Sequence, residues 1–162
     1  MGSEKILVVD DESRMRKLIK DFLAQKGYEI LEAEDGEKAL EIFEENQNKI
    51  NLILLDVMMP KLDGWSVLRQ IRQISQIPII MLTARGEEQD ELFGFELGVD
   101  EYISKPFSPK ILVARVEAIL KITIKIIAIF FVYNKPILAS AVRILIIILL
   151  IELLILYDSK LL

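Results

Sequence analysis

Asn51-Leu52-Ile53-Leu54-Leu55-Asp56-Val57-Met58-Met59-Pro60 is the stretch on which the fold turns. Four large apolar residues in a row, Leu52 to Leu55, end abruptly on a carboxylate, and a proline follows four residues after it. A short unbroken apolar run of this kind predicts a strand buried on both faces, as in a parallel sheet. Asp56 then stands at the carboxyl end of that strand, the edge where open α/β sheets bind their ligands. A lone aspartate there could equally cap a turn or a helix. The rest of the chain weighs against that reading.

Working outward, Lys5-Ile6-Leu7-Val8-Val9 is a β-branched run that ends on Asp10-Asp11-Glu12. Ser13 is a candidate N-cap for a helix over 14–26, with Met15, Leu18, Ile19, Phe22 and Leu23 at helical spacing and Gly27 as terminator. A second strand is expected over 28–33, and Asp35-Gly36 opens a helix through Ala39, Leu40, Ile42 and Phe43. After the central strand comes a turn with Pro60, Asp63 and Gly64, then a helix over 66–73. Pro78 precedes a fourth strand that ends on Thr83, followed by a helix over 87–97 that stops at Gly98. A short fifth strand leads to Lys105-Pro106, and Ser108-Pro109 supplies an N-cap and a first-turn proline for a last helix reaching about Lys121. Five strand–helix alternations imply a doubly wound parallel sheet with helices on both faces and right-handed crossovers.

Such a sheet brings its strand ends together. Asp10 and Asp11 end strand one, Asp56 strand three, Thr83 strand four and Lys105 strand five. Three carboxylates in one shallow site are costly unless a cation offsets them. Hard oxygen ligands without nitrogen or sulfur donors favour Mg²⁺, which keeps several waters and takes one or two carboxylates. Thr83 adds a hydroxyl donor, and Lys105 a mobile point charge suited to a phosphoryl oxygen. A carboxylate nucleophile beside a divalent cation, a lysine and a hydroxyl is the set that aspartyl-phosphate formation requires. Each piece alone has a bland explanation, since Asp-Asp after a strand often caps a helix and Lys-Pro is a common turn. Their joint occurrence, each at its own strand end, is hard to obtain by accident.

The chain has 162 residues, no cysteine and no histidine. That excludes disulfides, thiolate or histidine metal sites, and Ser-His or Cys-His catalysis, and makes the reducing cytosol the expected location. Residues 1–121 carry 16 Lys+Arg against 23 Asp+Glu, a balance of −7 that speaks against a nucleic-acid footprint there. Residues 122–162 hold only six charged residues among long Ile/Leu runs. The compositional break near Lys121 divides the chain into an expected domain over 4–121 and a hydrophobic, helical tail over 122–162.

Residues 4–121 resemble the receiver domain of two-component response regulators, the CheY-like fold. The motifs that carry the resemblance are Val8-Val9-Asp10-Asp11-Glu12, Leu54-Leu55-Asp56-Val57-Met58-Met59-Pro60-Lys61-Leu62-Asp63-Gly64, Ile79-Ile80-Met81-Leu82-Thr83-Ala84, and Gly98-Val99-Asp100-Glu101-Tyr102-Ile103-Ser104-Lys105-Pro106-Phe107. The resemblance implies strand order 2-1-3-4-5 and a phosphorylation switch rather than a turnover enzyme. It implies Asp56 as the phospho-acceptor, supplied by a sensor histidine kinase. Asp11, Asp56 and the Met58 carbonyl would hold Mg²⁺, with Asp10 acting largely through water. Lys105, Thr83 and Ala84 would meet the phosphoryl group, and Tyr102 would rotate inward as Thr83 moves. The Lys105-Pro106 bond would be cis.

Pro106-Phe107-Ser108-Pro109-Lys110-Ile111-Leu112-Val113-Ala114-Arg115-Val116 looks most like the OmpR/PhoB-type subgroup, whose receivers dimerise through the fourth helix, fifth strand and fifth helix. Asp100 and Arg115 match charged positions often paired across that interface. Phe93 and Ile111 stand where members carry a basic and an acidic residue, so an ion pair has become a hydrophobic contact or the dimer is altered.

In that subgroup a winged-helix DNA-binding domain follows, and neither its pattern nor a basic patch is present here. Three readings of the tail stay open. Residues 137–157 are long enough for a membrane span, their fifteen Ile/Leu/Val at about −0.5 kcal/mol each outweighing Arg143 and Glu152 at about +3 each only narrowly. A helical partner-binding segment is the second, although hydrophobicity all round is excessive for one. The third is a frameshifted or truncated reading of an AT-rich gene, since 30 of the 42 residues over 121–162 are Ile, Leu, Lys, Phe, Tyr or Asn. The rival to the switch itself is an aspartyl-nucleophile phosphatase of similar fold. Those end the strand Asp-x-Asp, and Asp56-Val57-Met58 lacks the second carboxylate.

Overall fold

Nine elements follow one another in the computed structural model, which describes residues 4–84, 98–133 and 148. They are β1 (Lys5–Val9), α1 (Ser13–Ala24), β2 (Glu29–Ala33), α2 (Gly36–Asn46), β3 (Ile50–Asp56), α3 (Gly64–Arg72), β4 (Ile79–Ala84), β5 (Glu101–Lys105) and α4 (Pro109–Tyr133). The helix expected over 87–97 lies outside the described residues, so α4 is the helix after β5.

The five strands form one parallel sheet in the order β2-β1-β3-β4-β5, as the resemblance implied. The apolar run that opened the reading is its centre. Leu52, Ile53, Leu54 and Leu55 are fully buried, which is why the run does not alternate with polar residues. Leu7, Val9, Ile53, Leu55 and Met81 join Phe43 of α2 and Val67, Leu68 and Ile71 of α3 in one cluster. Their neighbours in sequence, Ile6, Val8, Leu52, Leu54, Ile80 and Leu82, are equally buried, together with Ile19 and Leu23 of α1 and Leu112 and Val116 of α4. Each such side chain contributes about 1.5–3 kcal/mol of transfer free energy. Edge strand β2 is only partly covered, which fits the two glutamates in its Glu-Ile-Leu-Glu-Ala. One extra residue, Asn51, interrupts the β1–β3 register between Lys5 and Ile6. Its side-chain oxygen accepts the Lys5 backbone N–H at 2.8 Å, replacing the lost ladder bond.

Two expectations are corrected. Ser13 does not cap α1; Glu12 holds the cap position in extended conformation, and its carbonyl accepts from Met15 and Arg16 at 3.0 and 3.1 Å. The Glu12 N–H donates to the Asp10 carboxylate at 2.9 Å, which turns the chain one residue early. The last helix does not end near Lys121 but continues to Tyr133. No glycine or proline stops it before Pro136, and isoleucine is only mildly unfavourable in a helix.

By its contacts the chain forms two units, Met1–Ala118 and Ile119–Leu162, a division that falls within α4. In the second, the Thr123 hydroxyl donates back to the Ile119 carbonyl at 3.0 Å. Among the described residues no helix is long and apolar enough to cross a membrane. Of residues 137–157, only 148 is described.

Candidate functional site

Parallel strands of similar length put their carboxyl ends on one edge, and here that edge collects charge. Asp10 follows β1 directly and is held in the sheet by its N–H bond to the Ala33 carbonyl at 3.2 Å. Its carboxylate is fully buried. One oxygen accepts from the Glu12 N–H, and the other from the Lys105 ammonium at 2.8 Å. Asp56 closes β3 and is likewise buried, its oxygen 3.0 Å from the same ammonium. Asp11 is exposed. One carboxylate oxygen from each of Asp10, Asp11 and Asp56 lies within 4.8 Å of the others.

Burial pushes the Asp56 carboxyl above its ordinary pKa, against the pull of Lys105 and of the Met58 backbone N–H. For Lys105, burial disfavours the ammonium, but hydrogen bonds to Asp10 and Asp56 outweigh it and its pKa rises. The lysine is therefore a fixed cation. Three carboxylates and one ammonium leave a net two negative charges on a cluster of oxygen donors. That charge and donor set fit a divalent hard cation such as Mg²⁺.

Thr83 lies buried one residue past Leu82, the register partner of Asp56, and pairs in turn with Ser104 of β5. Ala84 pairs with Lys105 at the last rung. The Lys105-Pro106 bond is cis. Tyr102 packs against the cluster beneath α2 and α3, its ring centroid 6.4 Å from that of Trp65 and its hydroxyl oxygen out of solvent. The ring is thus turned inward.

The loop after Asp56 returns on itself so closely that two positions exclude any side chain. A Cβ at Gly64 would lie 2.2 Å from the Asp56 carbonyl oxygen, and one at Gly36 would lie 2.4 Å from the Leu62 carbonyl oxygen. The Gly64 N–H bonds to the Val57 carbonyl at 3.0 Å, and Asp63 caps α3 through the Ser66 N–H at 2.7 Å. Met58, carried on this loop, exposes its side chain.

Residues 6–117 match the family described as the response regulator receiver domain. This chain belongs to that family. The receiver is 50% identical over 122 residues to the "Probable transcriptional regulator ycf27" of Guillardia theta, covering 75% of this chain and 47% of that protein. It is 49% identical over 117 residues to the "Transcriptional regulatory protein CpxR" of Escherichia coli strain K12, covering 72% and 49%. The receiver domain protein of Clostridium thermocellum aligns with a TM-score of 0.70 at 35% identity, covering 74% of this chain and 96% of that one. The receiver domain of the Francisella response regulator 1452 gives 0.69 at 36% identity, covering 75% and 99%. The chain spans about half the length of the curated relatives it matches.

The charged residues expected on a dimer surface have partners within the receiver. Asp100 accepts from the Arg72 guanidinium at 2.9 Å and from the Ile79 N–H at 2.8 Å. Arg115 donates to Glu101 at 3.1 Å. Ile111 is exposed on α4, and Phe93 lies outside the described residues. Three residues that the sequence reading passed over hold the loops around the sheet, Lys61 and Arg16 at the site edge and Arg72 at the opposite, amino edge. Arg72 ties the end of α3 to the Gly98 and Ile77 carbonyls at 2.9 and 2.7 Å. Lys61, with a left-handed φ of 66°, pairs with Asp35, the N-cap of α2. Arg16 donates to the carbonyls of both Asp10 and Asp11. Their only sequence signal is charge on an amphipathic helix or in a turn, which ordinarily means solvent.

Proposed function

We propose that this receiver accepts a phosphoryl group on Asp56 from a sensor histidine kinase and converts the added charge into a changed surface. The observation that carries the reading is the buried Asp56 carboxylate, joined through Lys105 to Asp10 with Asp11 within 4.8 Å. In the transfer, an Asp56 carboxylate oxygen forms the new bond to phosphorus as the bond from phosphorus to the donor imidazole nitrogen breaks. The nitrogen leaves with its electron pair. Asp11, Asp56 and the Met58 carbonyl would hold Mg²⁺, with Asp10 acting largely through water. When bound, the cation offsets charge on the phosphoryl oxygens. Lys105, already held by two carboxylates, meets one phosphoryl oxygen, and the Thr83 hydroxyl with the Ala84 backbone meets another. The phosphoryl group carries about 1.5 to 2 negative charges where the carboxylate carried one, so the product adds roughly one negative charge or less at one buried point. Thr83 relays that change toward β5, where Tyr102 is already turned inward, and α4, the surface through which the resembled subgroup is expected to dimerise and where Asp100, Ile111 and Arg115 lie.

On this reading the chain is a switch rather than a turnover enzyme, acts in the cytosol, and folds as a receiver over 4–121 with a separate tail over 122–162. Its relatives are called transcriptional regulators and are about twice the matched length. Control of transcription would therefore need more than the matched segment. Acetyl phosphate with Mg²⁺ should label the unmodified chain at Asp56 and leave Asp56→Asn unlabelled. Undiminished labelling of that variant would overturn the assignment.

A further inference from the structure

We propose that Arg16 is a positioning residue for the acidic edge, holding two consecutive carbonyls so that Asp10 and Asp11 present their carboxylates to one shared cation. The proposal rests on the Mg²⁺ reading above. Arg16 sits one turn into α1, and a single guanidinium nitrogen reaches the Asp10 carbonyl at 2.6 Å and the Asp11 carbonyl at 3.1 Å. Its side chain is only 13% exposed, and its other edge faces Glu32 at 3.9 Å. Glu32 in turn accepts from Lys20 at 2.5 Å. The guanidinium is therefore braced from behind by a carboxylate on β2.

The physical need is specific. Asp10 and Asp11 leave the sheet just where the ladder ends, so their carbonyls have no strand partner to orient them. Neighbouring side chains on an extended segment point to opposite faces. Oxygens of both can reach a common point, within 4.8 Å of Asp56, only if the backbone between them is turned and held. The Glu12 N–H on Asp10 provides one restraint, and Arg16 provides the other from the carbonyl side. Its positive charge, behind the backbone, also opposes the mutual repulsion of the cluster without occupying it. Arginine suits this place because its fork stays charged and its donors are fixed in a plane.

Groups that orient ligands from behind typically set metal affinity by 10- to 100-fold. The test titrates the full-length chain with Mg²⁺ alone, by calorimetry, and records its melting temperature without metal. Arg16→Met is expected to weaken Mg²⁺ binding about tenfold or more, and Arg16→Lys, which keeps charge and one donor, to recover to within about threefold of the parent. A role in packing alone would lower the melting temperature yet leave the affinity of the folded protein unchanged. Folded Arg16→Met binding within about threefold of the parent overturns the proposal, as does Arg16→Lys binding no better than Arg16→Met. If Arg16→Met does not fold, Arg16→Gln takes its place with the same thresholds. A parent chain that binds no Mg²⁺ overturns the functional reading first, and this inference with it.

Discussion

Replacing Asp56 with asparagine should make the metal-free protein more stable, not less. The side chain keeps its shape and an oxygen that can accept from Lys105 and the Met58 N–H, but it loses its charge. Asp56 feels Asp10 within 4.8 Å, a repulsion of at least about 3.5 kcal/mol at an effective dielectric of about 20. It feels Lys105 at 3.0 Å, an attraction of about 5.5 kcal/mol on the same scale. Asp11 adds a further repulsion of about 1 to 3.5 kcal/mol, the lower figure applying because it is exposed. These contributions nearly cancel, so the cost of burying a charged carboxylate decides the sign. That agrees with the upward shift of the Asp56 pKa, in which burial is the largest influence. A gain of about 1–3 kcal/mol is expected, which raises the melting temperature by roughly 3–10 °C in a chain of this size. Thermal unfolding followed by circular dichroism at neutral pH, with chelator present, measures it. Adding Mg²⁺ should stabilise the parent more than the variant, because only the parent offers the third carboxylate. An Asp56→Asn variant that melts at or below the parent without metal would show that Lys105, and not burial, dominates the site.

Gly64→Ala should cost about 1–3 kcal/mol and slow labelling of Asp56, because the new methyl meets the Asp56 carbonyl oxygen at 2.2 Å and must push the strand end aside. Denaturant unfolding and an acetyl phosphate time course read the two effects, and a variant normal in both would refute the close approach. For Asp35, the Lys61 ammonium and then the Lys38 N–H hold the carboxyl below its ordinary pKa. A lowered pKa contributes stability above the unfolded-state value of 3.8, and that stability is lost as pH falls through the folded value. Asp35→Asn, which keeps the cap, should therefore melt below the parent at pH 7 and converge with it in acid. Melting curves that stay equally separated at every pH would exclude the ion pair as the cause.

How legible the chain was depends on which interactions are local. Leu52 to Leu55 announced a two-faced strand because burial on both sides leaves no room for alternation. Asp35 was legible as a helix opening and Asp63 as a turn residue because the caps they make are contacts between residues three apart. Ser13 misled because its competitor, the Asp10 carboxylate, takes the Glu12 N–H and shifts the cap back by one. The run past Lys121 misled in the other direction, since a change of composition is not a helix stop. Asp100 is the exposed charge it looked like, but its partners, Arg72 and the Ile79 N–H, lie 28 and 21 residues away and left no local signal.

By itself the sequence determined the alternation of strands and helices and the presence of an acid, hydroxyl or lysine at four strand ends. Both follow from periodicity and turn chemistry within a few residues. The tertiary structure alone decided that one ammonium bridges Asp10 and Asp56, that Arg16 grips the backbone behind the acidic pair, and that Tyr102 faces inward beside Trp65. The lysine bridge joins residues 95 apart, which no local pattern encodes, whereas Arg16 reaches carbonyls only five and six residues back, through a side-chain geometry that the sequence does not spell out.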